Sequence, residues 1–359
     1  GYCQVTLTNP VLSAPEFLAL VDAETTFGDR DTWATSDGHL YSVDSASCQF
    51  FKHRPDSTLR YAHHDTRLID AVGIAVWQRT ATGETYVMIA CGEKNEILIY
   101  REGATGDAAL LVRTITSDST VLVEPRGIAM RPDASLLVVD RGGRAIKCFD
   151  QHRELVPLPG AANGVFIQGT DTTWDLTNPN GFSSPGAVAV DTDGFIYVFD
   201  EDDSAAPSQF TLKKFSPNGA PMGVLAQLEQ LGWFGGAGPL DEPIPAATFG
   251  AGSIYAVSTD DAARVLRIGT NGQLLAHLGT ASAGADTPEG NTGPDDDPVG
   301  ISIGPYYDRQ TGEFLPEAVF LYTRHQAGGA DSVSVFRPSL AGGAICTTVV
   351  LQEVATCRS

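Results

Sequence analysis

Residues 184–200 read SPGAVAVDTDGFIYVFD: a Pro-Gly start, a short apolar strand, a turn over Asp191, Asp193 and Gly194, and a second strand ending in Asp200. After a loop, 210–215 (FTLKKF) predicts a third strand, and Ser216-Pro217-Asn218-Gly219 turns the chain into a fourth that includes Val224 and Leu225. Gly, Asp, Asn and Pro punctuating short apolar runs predict one four-stranded antiparallel meander.

The same order returns along the chain. At 125–150 it is a Pro-Arg-Gly-Ile-Ala-Met strand, the Arg131-Pro132-Asp133 turn, a strand ending in Asp140, the Arg141-Gly142-Gly143 loop and a third strand. Weaker copies lie at 72–100, 253–272, 298–336 and 37–52. Their second strands end at Asp44, Ala90, Asp140, Asp200, Ser258 and Thr323, a spacing of roughly 45–65 residues that suits propeller blades with variable loops. At 359 residues the chain exceeds the usual size of a single core, and a repeating ring solves that problem, because each small sheet packs against two neighbours. The sequence therefore predicts one all-β domain over 1–359, a six-bladed β-propeller of four-stranded antiparallel blades. The blades run over approximately 15–68, 69–120, 121–180, 181–238, 239–292 and 293–359.

A ring needs a latch, and closure by pairing of N- and C-terminal strands is expected. Residues 3–8 (CQVTLT) alternate like a strand, 1–14 form the latch segment, and 345–354 make a further strand. The six cysteines, Cys3, Cys48, Cys91, Cys148, Cys346 and Cys357, form no C-x-x-C pair. They are read as disulfide candidates, or, for Cys48 and Cys148, as buried thiols. Cys3 with Cys346 or Cys357 would staple the latch, and Cys346 with Cys357 is the competing pairing. With a first residue other than Met, this predicts an exported protein, secreted, extracellular or periplasmic.

A net charge of −21 argues against nucleic acid and anionic membranes as partners. No apolar run reaches the roughly 20 residues of a spanning helix, so membrane insertion is not expected. Loops before each first strand and between second and third strands share one rim, which would carry Lys94, Arg126, Arg141, Arg144, Arg324 and His325. They are candidate anion ligands, although pairing with neighbouring aspartates is the preferred reading. Asp200, Asp202 and Asp203, or Asp295, Asp296 and Asp297, are candidate Ca²⁺ ligands without the spacing of a calcium loop; otherwise no cofactor is expected. His63-His64-Asp65 is the one histidine cluster, read as a surface turn, since adjacent strand residues point to opposite faces.

The Pro-x-Gly start, the Asp-x-Asp-Gly turn, the apolar second strand ending in Asp and the aromatic closing the third strand resemble the NHL-repeat family. The resemblance is strong at 121–150 and 184–219 and weak at 15–36 and 241–252. It implies the propeller fold, and it groups the chain with proteins that include metal-dependent lyases and, more distantly, lactonases, none of whose site motifs maps onto it. The leading expectation is a secreted binding or assembly module, a rigid scaffold for protein, glycan or self-association, including polymerisation by strand exchange. The alternative is a metal-assisted lyase or lactonase with its site at the central channel.

Overall fold

A computed structural model describes residues 16–24, 30–56, 58–116, 122–161, 167–168, 182–202, 209–227, 246–258, 264–278, 296–307, 312–325 and 331–337. These form an all-β propeller of antiparallel meanders, with five sheets of four strands and one of five. From the inner strand outwards, the first sheet is Arg30–Ala34, Leu40–Asp44, Gln49–His53 and Leu59–His64, and the second is Ala71–Arg79, Glu84–Cys91, Glu96–Glu102 and Ala109–Thr116. The third is Pro125–Met130, Leu136–Asp140, Ala145–Phe149 and Leu155–Val156, with the short Ile167–Gln168 also pairing to Ala145–Phe149. Ser184–Val190, Ile196–Asp202, Gln209–Phe215 and Pro221–Gln227 make the fourth, the segment from which the repeat was read. Ala247–Gly250, Ser253–Ser258, Arg264–Gly269 and Leu274–Leu278 make the fifth. In the sixth, Asp296–Tyr307, Phe314–His325 and Asp331–Arg337 are joined by Glu16–Glu24 from the other end of the chain.

That last pairing corrects the expected boundaries. The strand beside Asp331–Arg337 is Glu16–Glu24, and the first sheet starts at Arg30 rather than near residue 15. Residues 3–8 and 345–354, and with them Cys3, Cys346 and Cys357, lie outside the described residues. The 16–24 segment (EFLALVDAE) was hard to read because its apolar residues are continuous rather than alternating, and its ladder carries two register shifts.

Buried strands here divide their side chains between two interfaces. In Leu136–Asp140, Leu137 and Val139 join the core shared with the fourth sheet, while Leu136 and Val138 join the core shared with the second. Period-two alternation thus reads as a continuous apolar run, because both faces are covered. The same partition supplies cores between first and second, fourth and fifth, fifth and sixth, and sixth and first sheets.

The recurring Gly of the inner strands has a steric cause. A ladder irregularity falls at the same place in four sheets, between Ala71 and Gly73, Pro125 and Ile128, Pro185 and Val188, and Pro298 and Gly300. A Cβ on Gly73 would sit 2.6 Å from the Arg126 carbonyl oxygen, and one on Gly300 would sit 2.7 Å from the Asp31 Cα. The glycines let each inner strand approach the next. Each inner strand contacts those of its two neighbours, the sixth sheet's lying against Arg30–Ala34 of the first.

The expected disulfides among the central cysteines are not formed. Cys48, Cys91 and Cys148 are free thiols, and each belongs to a different sheet. Cys91 and Cys148 are buried among apolar side chains of the inter-sheet cores, where a thiol behaves as a small hydrophobe.

Candidate functional site

The loops preceding the inner strands and those between second and third strands do meet on one rim. Gly92 and Lys94 donate their backbone N–H groups to Asp70, to its carbonyl at 3.1 Å and its carboxylate at 2.7 Å respectively. Glu124 N–H donates to Asn95 Oδ1 at 2.6 Å, and Gly142 N–H to the Val123 carbonyl at 2.9 Å. The loops that would present a ligand site are therefore laced together, within each sheet by the Asp70 and Val123 bonds and between the second and third sheets by Glu124 and Asn95.

The aspartates that close second strands anchor this lacing. Asp140 accepts from Val123 N–H at 2.5 Å and from the Lys147 ammonium. Asp200 accepts from the N–H groups of Ser183 and Ser184, each at 3.0 Å, and from Lys213 Nζ at 2.7 Å. Burial pushes the Asp200 carboxyl up, against the opposing pull of Lys213 and the two amides. Asp44 serves its own turn, accepting from Ala46 N–H at 2.9 Å and Ser47 Oγ at 2.5 Å.

Three of the six predicted cationic groups are held by the protein itself. Arg126 donates to Glu124 at 2.7 Å, and Arg141 donates to Ser184 Oγ at 2.7 Å with Glu201 at 3.9 Å. Lys94 Nζ donates to the Arg67 carbonyl at 3.2 Å. Arg144 is exposed in a left-handed turn conformation. The strand register places Asp296 opposite His325 and Asp297 opposite Arg324. Asp202 ends its strand opposite Gln209, whereas Asp203 and Asp295 lie outside the described residues. Among the described residues, no group of three or more His, Cys, Asp or Glu side chains is arranged to hold a metal.

The histidine pair lies at the end of the strand Leu59–His64 rather than in a turn. Its alternation is as expected: His64 is exposed, while His63 packs 5.0 Å from the ring centres of both Phe50 and Tyr100. That burial pulls the His63 imidazole pKa down. Asp65 receives a two-pronged Arg67 guanidinium, at 2.5 and 3.0 Å, and the Tyr100 hydroxyl at 2.9 Å. These donors hold its carboxyl far below the ordinary range.

Two buried arrangements escape sequence reading. Lys52 meets both oxygens of Glu102, at 2.7 and 2.9 Å, and the hydroxyls of Tyr41 and Tyr61 donate to Glu102 Oε1 at 2.9 and 2.8 Å. This network bridges the first two sheets. At the inner strands, Asp31 accepts from its neighbour Thr32 N–H at 2.8 Å and from Ile74 N–H of the second sheet at 3.1 Å. Burial lifts its carboxyl to about 7, with the backbone amides of Ile74, Thr32 and Ile301 opposing the rise. Neither set is contiguous in sequence. Asp31 lies in the stretch Arg30-Asp31-Thr32, where the repeat is weak and no motif marks it.

No family model matches the chain, and no curated protein matches it in sequence. Solved structures of similar shape include virginiamycin B lyase from Staphylococcus aureus, with 10% identity, covering 89% of this chain and 98% of that one, at a TM-score of 0.50. A gluconolactonase from Xanthomonas campestris has 13% identity, covering 93% of this chain and 100% of that one, at a TM-score of 0.51. The PQQ-bound aldose sugar dehydrogenase from Streptomyces coelicolor also has 13% identity, covering 89% and 97%, at a TM-score of 0.56. Likeness at this identity is one of fold, and the fold it supports is the β-propeller.

Proposed function

We propose that the chain is a six-bladed propeller, closed by its N-terminal strand, that works outside the cell as a rigid scaffold for recognition or assembly. The supporting observation is the pairing of the rim: Arg126 with Glu124, Arg141 with Ser184, Lys94 with a backbone carbonyl, and Asp140 and Asp200 with their lysines. Groups satisfied in this way stiffen the loops, and stiff loops lose little entropy when a protein, a glycan or a second copy docks on them. Cys3, Cys346 and Cys357 remain the disulfide candidates for such a setting.

A second reading has one observation in its favour. Asp31 is a buried carboxylate among the inner strands with a pKa near neutrality, and a metal-assisted lyase or lactonase at the central channel would be built around it. The neighbours of similar fold include a lyase, a lactonase and a sugar dehydrogenase. Elemental analysis of natively purified, undialysed protein, run with light scattering, separates the readings. One zinc or calcium per chain, lost in an Asp31→Asn variant, would favour the enzyme. Metal-free protein that self-associates, or that retains a partner on purification, fits the scaffold.

A further inference from the structure

On the face opposite the rim, a cleft of about 270 Å³ opens between the second and third sheets. Its walls include Arg79 and Arg101, at the strand ends away from the rim, together with Arg113 of the outer strand and Arg153 from the turn after Ala145–Phe149. Four guanidinium groups line one cleft in a protein of net charge −21, and no carboxylate is among the described lining residues. The nearby acids pair with three of these arginines: Glu84 is 3.6 Å from Arg79 and 3.4 Å from Arg101, and Glu154 is 2.6 Å from Arg113, which leaves Arg153 without an ion pair among the described residues.

Arg153 distinguishes this cleft from a solvated charge cluster. The turn between third and fourth strands has the same hydrogen bonds in three sheets. Gly219 N–H donates to Ser216, Gly272 N–H to Gly269, and Arg153 N–H to Asp150, and each turn closes with a bond from its first residue to its fifth. The third residue after the first takes a left-handed conformation every time, with φ of 87° at Gly219, 85° at Gly272 and 63° at Arg153. Glycine meets that requirement freely; an arginine does not. The third sheet thus holds a side chain at a strained position where its sister turns hold none.

That side chain is buried, with 5% of its surface exposed. Its Nη1 donates to the carbonyls of Ala134 and Asp150, both at 3.1 Å, and the guanidinium lies 5.0 Å from the Trp77 ring, which itself stacks on Tyr86. Its Nη2 is buried without a hydrogen-bond partner. A buried charged donor without an acceptor is costly. Donors converging from three strands and a turn suit a group with several outer oxygens better than the single plane of a carboxylate. Ile99 and Val112, also in the lining, give the remainder of a ligand an apolar wall.

We propose that this cleft binds a small molecule bearing a phosphate or sulfate monoester on a ring or apolar body, with Arg153 as the central guanidinium.

The test is calorimetric titration of the intact chain with phenyl phosphate, phenyl sulfate, benzoate and phenol. At least one of the two esters binds at a single site, more weakly as NaCl is raised, and phenol does not bind. Arg153→Gly, which restores the glycine of the sister turns, keeps the fold and weakens ester binding by at least about tenfold. The double variant R79Q/R101Q, at two half-exposed positions, weakens it severalfold and covers the case in which Arg153→Gly misfolds. The proposal is overturned if neither ester gives saturable heat up to about 10 mM, if folded Arg153→Gly or R79Q/R101Q binds like the unmodified chain, or if benzoate binds as tightly as the esters.

Discussion

The Asp31 carboxylate accepts the Ile74 N–H at 3.1 Å across the boundary between the first and second sheets, so one side chain closes a backbone gap that pairing within a sheet cannot reach. Its carboxyl is raised from 3.8 to about 7 by burial. The folded chain therefore keeps this proton over a range in which the unfolded chain has lost it. Between about pH 4 and pH 7 the unfolded state binds fewer protons, and stability falls as pH rises. Urea melts across that window should show a decline that is shallower in Asp31→Asn, by on the order of 1–4 kcal/mol over the whole range. Parallel curves for the two proteins would refute the assignment.

Lys52 and Glu102 form a buried pair whose removal should be asymmetric. Lys52→Met strands the Glu102 carboxylate beside two tyrosine hydroxyls and should cost about 3–5 kcal/mol in denaturant melts. Adding Glu102→Gln removes the stranded charge and should recover part of the loss. A double variant no better than the single one would show that the cost lies in packing.

Gly300→Ala should destabilise more than an ordinary glycine change. The new Cβ would lie 2.7 Å from the Asp31 Cα and 3.1 Å from the Asp31 carbonyl carbon. Backbone cannot swing aside like a side-chain end, so the expected loss is about 1–3 kcal/mol. Gly83, with nothing within 4 Å of its added Cβ, tests strain alone, because its φ of 71° penalises alanine without any clash. Thermal melts of the two variants separate crowding from conformation.

Thiol labelling followed by peptide mapping should rank three cysteines by burial. Cys48 is half-buried, whereas Cys91 and Cys148 are buried, and burial pushes the Cys91 thiol well above its ordinary pKa. Cys48 should label in the native protein, and the other two only after unfolding. Rapid native modification of Cys148 would contradict its place in the inter-sheet core.

Much of the fold was legible because it repeats: the Pro-x-Gly starts and Asp-Gly turns each reflect a local backbone demand that recurs in several copies. Asp191, for example, accepts from the N–H groups of Asp193 and Phe195 within its own turn. The strand Glu16–Glu24 is hard to place from sequence because its partner, Asp331–Arg337, lies about 300 residues away and leaves no local mark. The partners of the rim residues leave no mark in the sequence, since Arg141 meets Ser184 of the next sheet and Lys213 meets Asp200 across a loop. Arg153 could have been noticed in advance by aligning 150–154 with 216–220 and seeing an arginine where glycine stands.

The strand Glu16–Glu24 sits beside Asp331–Arg337, and that placement constrains the order of events during synthesis. Asp331–Arg337 leaves the ribosome about 300 residues after the segment it pairs with. Until then that earlier segment is an unpaired apolar ribbon, and the growing sheets end in an open edge. Completion of the sixth sheet must await Asp331–Arg337, so that step should be slow and sensitive to loss of those residues.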